Sequence, residues 1–170
     1  IIANSKWRQA KYKEQIKFAN EILELDNKYY VAYNILGIAY SHIGHMENSI
    51  KNYEICIKNE PNEFVYYKNR ALSYLDLIFD EKIPLKLIAQ FERKAKSDFE
   101  KVIELTTKFE TEESGYRLYL HRGLSYQHIK KNKEAKKDLL RALDIYRDSP
   151  KFEQDTHELK ELKTALKEIG

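Results

Sequence analysis

Residues 29–63, YYVAYNILGIAYSHIGHMENSIKNYEICIKNEPNE, decide the fold of this chain. Two amphipathic runs lie on either side of residues 43–45, and the second run ends at Glu60 and Pro61. Apolar residues at helical spacing, interrupted by glycine and later by proline, predict a helix, a tight turn and an antiparallel helix. Such a pair cannot bury both of its apolar faces alone. The sequence should therefore contain neighbouring copies of the same pattern.

The pattern does recur, with two insertions. Four places of the first helix recur at steps of 34 and then 52 residues: Tyr33, Leu36, Gly37 and Tyr40; Tyr67, Arg70, Ala71 and Tyr74; Tyr119, Arg122, Gly123 and Tyr126. Two places of the second helix recur at steps of 46 and then 40 residues: Tyr53 and Cys56; Phe99 and Val102; Leu139 and Ala142. The steps place an insertion of 12 residues inside the middle helix pair and one of 6 after it.

The pattern resembles the tetratricopeptide repeat (TPR) family, whose 34-residue repeat carries aromatic, Leu-Gly, Tyr, Ala, aromatic and Pro at fixed places. Those places hold Tyr33, Leu36, Gly37, Tyr40, Ser49, Tyr53, Cys56 and Pro61. Arg70 and Arg122 depart from the family at the Leu place, as do Thr107 and Arg147 where Pro would recur. The resemblance covers roughly residues 1–150. It implies an all-α fold, a right-handed superhelical solenoid of antiparallel helix pairs.

The resemblance also predicts the domain organisation. We expect a single TPR-like domain over residues 1–170, whose parts are a partial first repeat (1–29), a repeat (30–63), a repeat with the 12-residue insertion (64–109), a repeat (116–149) and a C-terminal capping helix (150–170). The register places Ala10 at the turn of the partial repeat and five apolar residues on its buried face: Ile16, Phe18, Ile22, Leu23 and Leu25. Because the first helix is cut short, we interpret the chain as a fragment or processed form of a longer protein.

Charge argues against several classes of partner. The chain has 30 Lys and Arg against 27 Asp and Glu, a net charge of +3, so its surface should carry mixed signs. The strongest basic run, residues 130–137 (KKNKEAKK), contains the predicted last turn, and Glu134 and Asp138 interrupt it. We therefore expect no nucleic-acid binding and no membrane insertion. Homo-oligomerisation is possible without being indicated, and the compartment stays open, with the cytoplasm favoured.

Catalytic signatures are missing from the sequence. The five histidines form no metal-binding helical pair, and a single cysteine, Cys56, provides no cysteine cluster. No phosphate-binding glycine loop and no nucleophile elbow occurs. The sequence thus predicts no catalytic, metal or cofactor-binding residues, and a protein that is not an enzyme.

The inserted segment of the middle repeat is unusually apolar. Pro84 predicts a turn near residues 81–83, because proline suits the first turn of a helix and disfavours helical geometry before it. The resulting hairpin should be taller than its neighbours. Its apolar residues either pack on one another, which we favour, or form a contact surface for a partner or a second copy. The candidate contact residues are Phe79, Ile83, Leu85 and Leu87.

The family resemblance implies a concave groove lined by the first helices, where peptides or partner segments bind. Carried over place by place, the groove residues are Asn34, Ile35, Ile38, Ser41 and His42; Lys68, Asn69, Leu72, Leu75 and Asp76; and Arg117, Leu120, His121, Leu124 and His128. Ile38, Leu72 and Leu124 hold one place in three repeats and should form an apolar floor. Some co-chaperone members of the family bind the C-terminal carboxylate of a chaperone in this groove through Lys, Asn and Arg side chains. In this chain Asn34, Ile38 and His121 occupy three of those places, so the set of carboxylate-binding residues is incomplete.

Two functions follow from this groove. The first is a protein–protein interaction module that binds a peptide or partner segment, in an adaptor or regulatory role. The second is a structural scaffold segment of a larger multi-subunit assembly or multidomain protein, in which the chain itself or another subunit fills the groove. The sequence favours the first, since concave repeat surfaces are usually binding faces.

Overall fold

A computed structural model describes residues 2–81, 83–112, 114–150 and 155–170, with side chains from residue 6 onward. These ranges contain eight helices and no strand: α1 (Ile2–Leu25), α2 (Tyr30–His42), α3 (Met46–Asn59), α4 (Phe64–Ile78), α5 (Leu85–Lys108), α6 (Tyr116–His128), α7 (Asn132–Asp148) and α8 (Thr156–Ile169). The all-α expectation is confirmed. The chain divides into two compact units, Ile1–Asp98 and Phe99–Gly170, and each is described by itself.

Helices α2 and α3 form the predicted regular pair in the first unit. Gly44 allows their tight turn, because its φ of +83° lies in the left-handed region that favours glycine. Gly37 allows the helices to approach closely. A Cβ at Gly37 would lie 2.6 Å from Cε1 of Tyr53, whose side chain is fully buried. A buried hydrogen bond of 2.9 Å between the hydroxyls of Ser49 and Ser73 then joins α3 to α4.

Helix α1 corrects the prediction for the partial first repeat. It is one continuous helix of 24 residues, without the turn expected at Ala10. The reason is local, because residues 6–12 (KWRQAKY) contain neither glycine nor proline to end the helix. Three of the five predicted apolar residues, Ile16, Ile22 and Leu23, pack with buried Ala19 against α2.

Phe18 and Leu25 were wrongly predicted to be buried. They are 60% and 90% exposed. A helix that packs on one neighbour buries a single stripe, and these two residues lie outside the stripe that contacts α2.

A buried ion pair joins α4 to α5. Arg70 donates from Nε and Nη2 to both carboxylate oxygens of Asp98, at 2.8 and 2.7 Å. The two side chains are 18% and 7% exposed. Burial raises the pKa of Asp98 in spite of the neighbouring guanidinium. Arg70 occupies a Leu place of the repeat, and its pairing with Asp98 satisfies the charge that this substitution brings into the core.

The twelve inserted residues are divided unequally between the two helices of the middle pair. A step of 34 from α2 predicts a first helix over 64–76, and α4 continues to residue 78. A step of 46 from α3 predicts a second helix over 92–105, whereas α5 begins seven residues earlier, at Leu85. The remaining three residues lengthen the turn. The hairpin is therefore taller than its neighbours mainly because α5 gains about two turns at its start.

The second unit repeats the buried ion pair in α6 and α7. Arg122 donates to both oxygens of Asp138, at 2.7 and 3.0 Å. It also donates from Nη1 to Glu110, in the loop that carries the six-residue insertion. The hydrogen bond to Asp138, together with the one to Glu110, raises the pKa of Arg122. Glu110 thus ties the start of the insertion to the helix pair, while Thr111, Glu112 and Gly115 are exposed.

The turn between α6 and α7 lies earlier than predicted. It covers residues 129–131, and α7 begins at Asn132, so most of residues 130–137 are helical. Lys130 has a φ of +62° at the place held by Gly44 in the regular pair. The sequence did not predict the exact position of this turn, because Lys130 stands where the regular pair has Gly44 and no glycine marks the turn.

Helix α8 closes the hydrophobic core of the second unit. Leu162 and Ala165 are buried against a cluster that contains Tyr116, Leu120 and Tyr146. Partly buried Leu159, Leu166 and Ile169 extend the same stripe. The side chain of Asp155 caps the helix by accepting from the backbone N–H groups of His157 and Glu158. Helix α8 thus turns one apolar stripe toward this core, and residues 151–154 of the predicted capping helix lie outside the described residues.

Replacing one member of a buried ion pair should destabilise the protein far more than replacing both. Arg70→Leu leaves the Asp98 carboxylate without its partner, and we expect a loss of about 3 kcal/mol of unfolding free energy. The regular pair carries Leu36 and Asn52 at the equivalent places. The double variant Arg70→Leu/Asp98→Asn copies that arrangement and should recover most of the loss. Urea denaturation measures both, and equal losses in the two variants would contradict the role assigned to the pair.

Adding a methyl group at Gly37 should also destabilise the protein. The new Cβ would collide with the buried ring of Tyr53, and we expect a loss of about 1 to 3 kcal/mol in Gly37→Ala. Gly115→Ala is the matched control, since no atom lies within 4 Å of a Cβ built there. Thermal denaturation followed by circular dichroism compares them. A similar fall in Tm for both variants would show that glycine flexibility, and not helix approach, sets the effect.

Candidate functional site

Helices α2 and α4 pack against each other in the first unit and carry the predicted groove residues of two repeats. Residues four apart lie on one face of a helix. Asn34, Ile38 and His42 therefore form a stripe on α2. Lys68, Leu72 and Asp76 occupy the same three places on α4. We call these residues, with half-buried Ile35, Asn69 and Leu75, the first-helix face of unit 1.

This face combines partly exposed apolar groups with an unused hydrogen-bond acceptor. Leu72 is 39% exposed, and Ile38 is half-buried. Oδ1 of Asn34 is buried and has no hydrogen-bond partner within the described part of the chain. A buried acceptor without a donor lowers the stability of the folded state.

His42, the last residue of the stripe on α2, is an uncharged aromatic side chain. Its ring stacks on Tyr12 of α1, with ring centroids 4.2 Å apart and an angle of 10° between planes. Burial lowers the pKa of His42, and the charge of Arg8 lowers it further, while Asp76 offsets part of the shift. His42 is therefore neutral at neutral pH. Burial also raises the pKa of Asp76.

In the second unit, helices α6 and α8 enclose a cleft of about 460 Å³. Two predicted groove residues, Leu124 and His128, line its α6 side. The other lining residues are Gln127, His157, Lys160, Glu161, Thr164, Ala165 and Glu168. One wall is thus partly apolar and the other carries charges of both signs, which suits a polar segment with an apolar side chain.

The α8 side of this cleft was missed by the sequence reasoning, which assigned α8 only the role of a cap. A usable signal was present. Helix α8 begins 40 residues after α6, the same step that relates the preceding second helices, so it occupies the first-helix place of a further repeat. Its polar residues therefore face the neighbouring first helix instead of only meeting water.

Arg117 is engaged within the protein. Its Nε lies 3.0 Å from both carboxylate oxygens of Glu158 on α8, and the hydroxyl of Tyr116 donates to the same carboxylate at 2.6 Å. The hydrogen bond to Glu158 raises the pKa of Arg117. Although Arg117 is 55% exposed, its guanidinium is already paired. A terminal carboxylate would have to displace Glu158 to bind there.

The structure removes Leu120 from the predicted groove. Its side chain is fully buried in the core that α6 shares with α7 and α8. The prediction was wrong because α7 and α8 pack over this part of α6, whereas the sequence reasoning had treated α8 only as a cap. His121 is half-buried, and exposed His128 stacks on buried Phe99 with centroids 4.3 Å apart.

The predicted contact hairpin divides into two groups. Phe79 and Leu85 are each 84% exposed, so the favoured prediction that Phe79 packs within the hairpin is wrong. Ile83 and Leu87 are partly buried and face the first turn of α3 across an open cleft. Phe91 does pack inside the hairpin, where it stacks on Tyr74 at 5.9 Å.

Within the described ranges, no group of three or more His, Cys, Asp or Glu side chains could hold a metal ion. None of the helices in those ranges combines the length and the apolar character needed to cross a membrane.

Comparisons with known proteins agree with this architecture. The model of the tetratricopeptide repeat family matches residues 30–63 and 116–149. No curated protein matches the chain significantly.

Several solved structures share the fold at low sequence identity. TTC0263, a thermophilic TPR protein in Thermus thermophilus, is 17% identical to this chain, with a TM-score of 0.65. The match covers 99% of this chain and 77% of the TTC0263 chain. The first TPR of Spaghetti (RPAP3), bound to the HSP90 peptide SRMEEVD, is 22% identical with a TM-score of 0.52, covering 85% and 92%. The Arabidopsis OM64 TPR domain is 21% identical with a TM-score of 0.50, covering 82% and 93%.

These likenesses confirm the TPR-like solenoid fold. The two matched segments coincide with the helix pairs α2–α3 and α6–α7, whose spacing first suggested the repeat. The middle pair, which carries the 12-residue insertion, lies outside the matched segments. Residues 30–63 and 116–149 thus match the tetratricopeptide repeat family, and the fold of the chain is TPR-like.

Proposed function

We propose that this protein is an interaction module that binds an internal segment of a partner protein along its first helices. Each unit carries its own candidate binding surface: the first-helix face in unit 1, and Leu124, His128 and the α8 wall of the cleft in unit 2. TPR folds are typical of protein-binding modules, and the fold itself supplies the helical surface for such binding.

The observation that carries this proposal is the cleft between α6 and α8. Its volume of about 460 Å³ falls in the range of sites that take ligand groups, and two of its lining residues, Leu124 and His128, were selected by the repeat register alone. Leu124 shares its place in the repeat with Ile38 and Leu72. The same apolar contact is therefore available in three repeats.

The chemistry of the face indicates what a ligand needs. Ile38, Leu72 and Leu124 suit apolar side chains of the ligand. His42 is neutral and Arg117 is paired with Glu158, so neither of these two groove positions offers a cation to a carboxylate. We therefore propose an internal apolar segment, and not an acidic C-terminus, as the ligand.

An aspartate in the apolar floor should abolish peptide binding. Peptides selected on the wild-type protein by phage display should lose at least about tenfold in affinity for Leu72→Asp and Leu124→Asp, because a desolvated carboxylate would face an apolar side chain. Isothermal titration calorimetry measures the loss. Leu140→Asp on α7 is the matched control, since Leu140 is 46% exposed and lies outside the proposed site. Unchanged affinity in the first two variants, or equal loss in the control, would refute the site.

The C-terminal carboxylate of the ligand should not contribute to binding. Amidating the C-terminus of a selected peptide removes its charge, and we expect the Kd to change by less than about twofold because Arg117 is held by Glu158. Competition measured by fluorescence anisotropy compares the two forms. A loss of tenfold or more on amidation would show that Glu158 yields to the ligand and that the internal-segment proposal is wrong.

A further inference from the structure

Helix α1 carries a second apolar stripe, which is exposed. Its members, Trp7, Phe18 and Leu25, are 63%, 60% and 90% exposed. They are 11 and 7 residues apart, which is about three and two helical turns, so they lie on one face of α1. The stripe that contacts α2, which contains Ile16 and Ala19, lies on another face. Large exposed apolar side chains aligned in this way are typical of an interaction site.

Charged residues complete this exposed stripe at regular spacing. Lys11, Glu14 and Glu21 fall between the three apolar residues, which gives the series 7, 11, 14, 18, 21 and 25. Alternating steps of four and three residues are the spacing of the contact positions when two helices pack along each other. We call these six residues the outer stripe of α1. Its spacing fits a second helix as the occupant.

The charges of α1 are segregated along its length. Residues 6–13 contain four basic residues and no acidic residue: Lys6, Arg8, Lys11 and Lys13. Residues 14–26 contain four acidic residues and one basic residue: Glu14, Glu21, Glu24 and Asp26, with Lys17. All nine side chains are exposed. Lys17 lies 3.7 Å from Glu21 in an exposed pair, a kind that contributes little to stability. One half of α1 is therefore basic and the other acidic.

A helix with this charge pattern complements a second copy of itself that runs antiparallel. Such a pairing sets each basic half against an acidic half, whereas a parallel pairing would set like charges together. A twofold axis near the middle of the stripe places Trp7 opposite Leu25 of the second copy and Lys11 opposite Glu21. An acidic membrane surface fits less well, because residues 14–26, which surround Phe18 and Leu25, would be repelled.

We propose that the outer stripe of α1 forms an antiparallel, twofold-symmetric homodimer of this chain. Phe18 of each copy lies close to the axis, and the Trp7–Leu25 contacts close the two ends. A single helix pair buries less surface than the roughly 1,600 Å² of a standard interface, so the dimer is reversible and depends on protein concentration. The outer stripe shares no residue with the first-helix face, and dimer formation is therefore independent of the proposed peptide site.

Sedimentation velocity of the full chain, from roughly 5 to 200 μM, should show a shift from monomer to dimer. Phe18→Asp should weaken the dimer at least about tenfold, because it places desolvated carboxylates near the axis. Phe79→Asp is the matched control, since Phe79 is 84% exposed outside α1, and it should dimerise like the wild type. Circular dichroism should give an unchanged Tm for both variants, because both side chains are exposed in the monomer.

A charge exchange tests the antiparallel register. Lys11→Glu sets two carboxylates against each other at each end of the interface and should weaken the dimer at least about fivefold. The double variant Lys11→Glu/Glu21→Lys exchanges the partners of the same contact and should restore most of the affinity. Failure of the double variant to recover, with its Tm unchanged, would contradict this register and the proposal with it.

Trp7 provides a second measurement, because it is the one tryptophan of the chain. Its fluorescence should shift to shorter wavelength as the dimer forms, and Phe18→Asp should remove this shift. A monomer at all concentrations, or equal loss of the dimer in Phe79→Asp, would overturn the proposal. Co-sedimentation with vesicles of equal parts phosphatidylcholine and phosphatidylserine should show no binding. Vesicle binding that Phe18→Asp abolishes would assign the stripe to a membrane and overturn the homodimer.

Discussion

Two buried guanidinium–carboxylate pairs hold the irregular parts of this protein. Arg70 with Asp98, and Arg122 with Asp138, join the two helices of a pair at the same place in the repeat. Each arginine uses two nitrogens on two carboxylate oxygens, the geometry that best offsets the cost of burying both charges. Both pairs occur where the repeat has been altered, one beside the 12-residue insertion and one bonded to the loop of the six-residue insertion. They fix the helix packing that the insertions would otherwise loosen.

Early helix starts shape one edge of the first unit. Helix α5 begins seven residues before the start that the register predicts for the second helix of its pair. Helix α1 begins ten residues before the start predicted for the second helix of the partial repeat. The extension of α5 lines an open cleft with the start of α3. The extension of α1 carries Arg8, whose charge lowers the pKa of His42 in addition to the larger effect of burial.

Helix α8 has two roles in the second unit. Its apolar stripe closes the core through Leu162 and Ala165, and its polar face supplies one wall of the α6–α8 cleft. Glu158 connects these roles, because it accepts from Tyr116 and holds Arg117 in one position. The helix that stabilises the end of the stack therefore also decides which ligand groups the neighbouring first helix can accept. This coupling is the physical basis for proposing an internal segment as the ligand.

The sequence by itself determined the helix pairs, their register and the lengths of the insertions. The signals that determined them are local: Gly37, Gly44, Pro61 and the spacing of the tyrosines. Local signals predict a repeat fold well because each repeat packs mainly on its neighbours. Only the tertiary structure decided that Leu120 is buried, that Phe79 is exposed and that Arg117 is paired. Each of these depends on which helix lies over a given face. Side-chain periodicity shows that a face is apolar or polar, but the neighbour that covers it is set by packing between segments distant in the sequence.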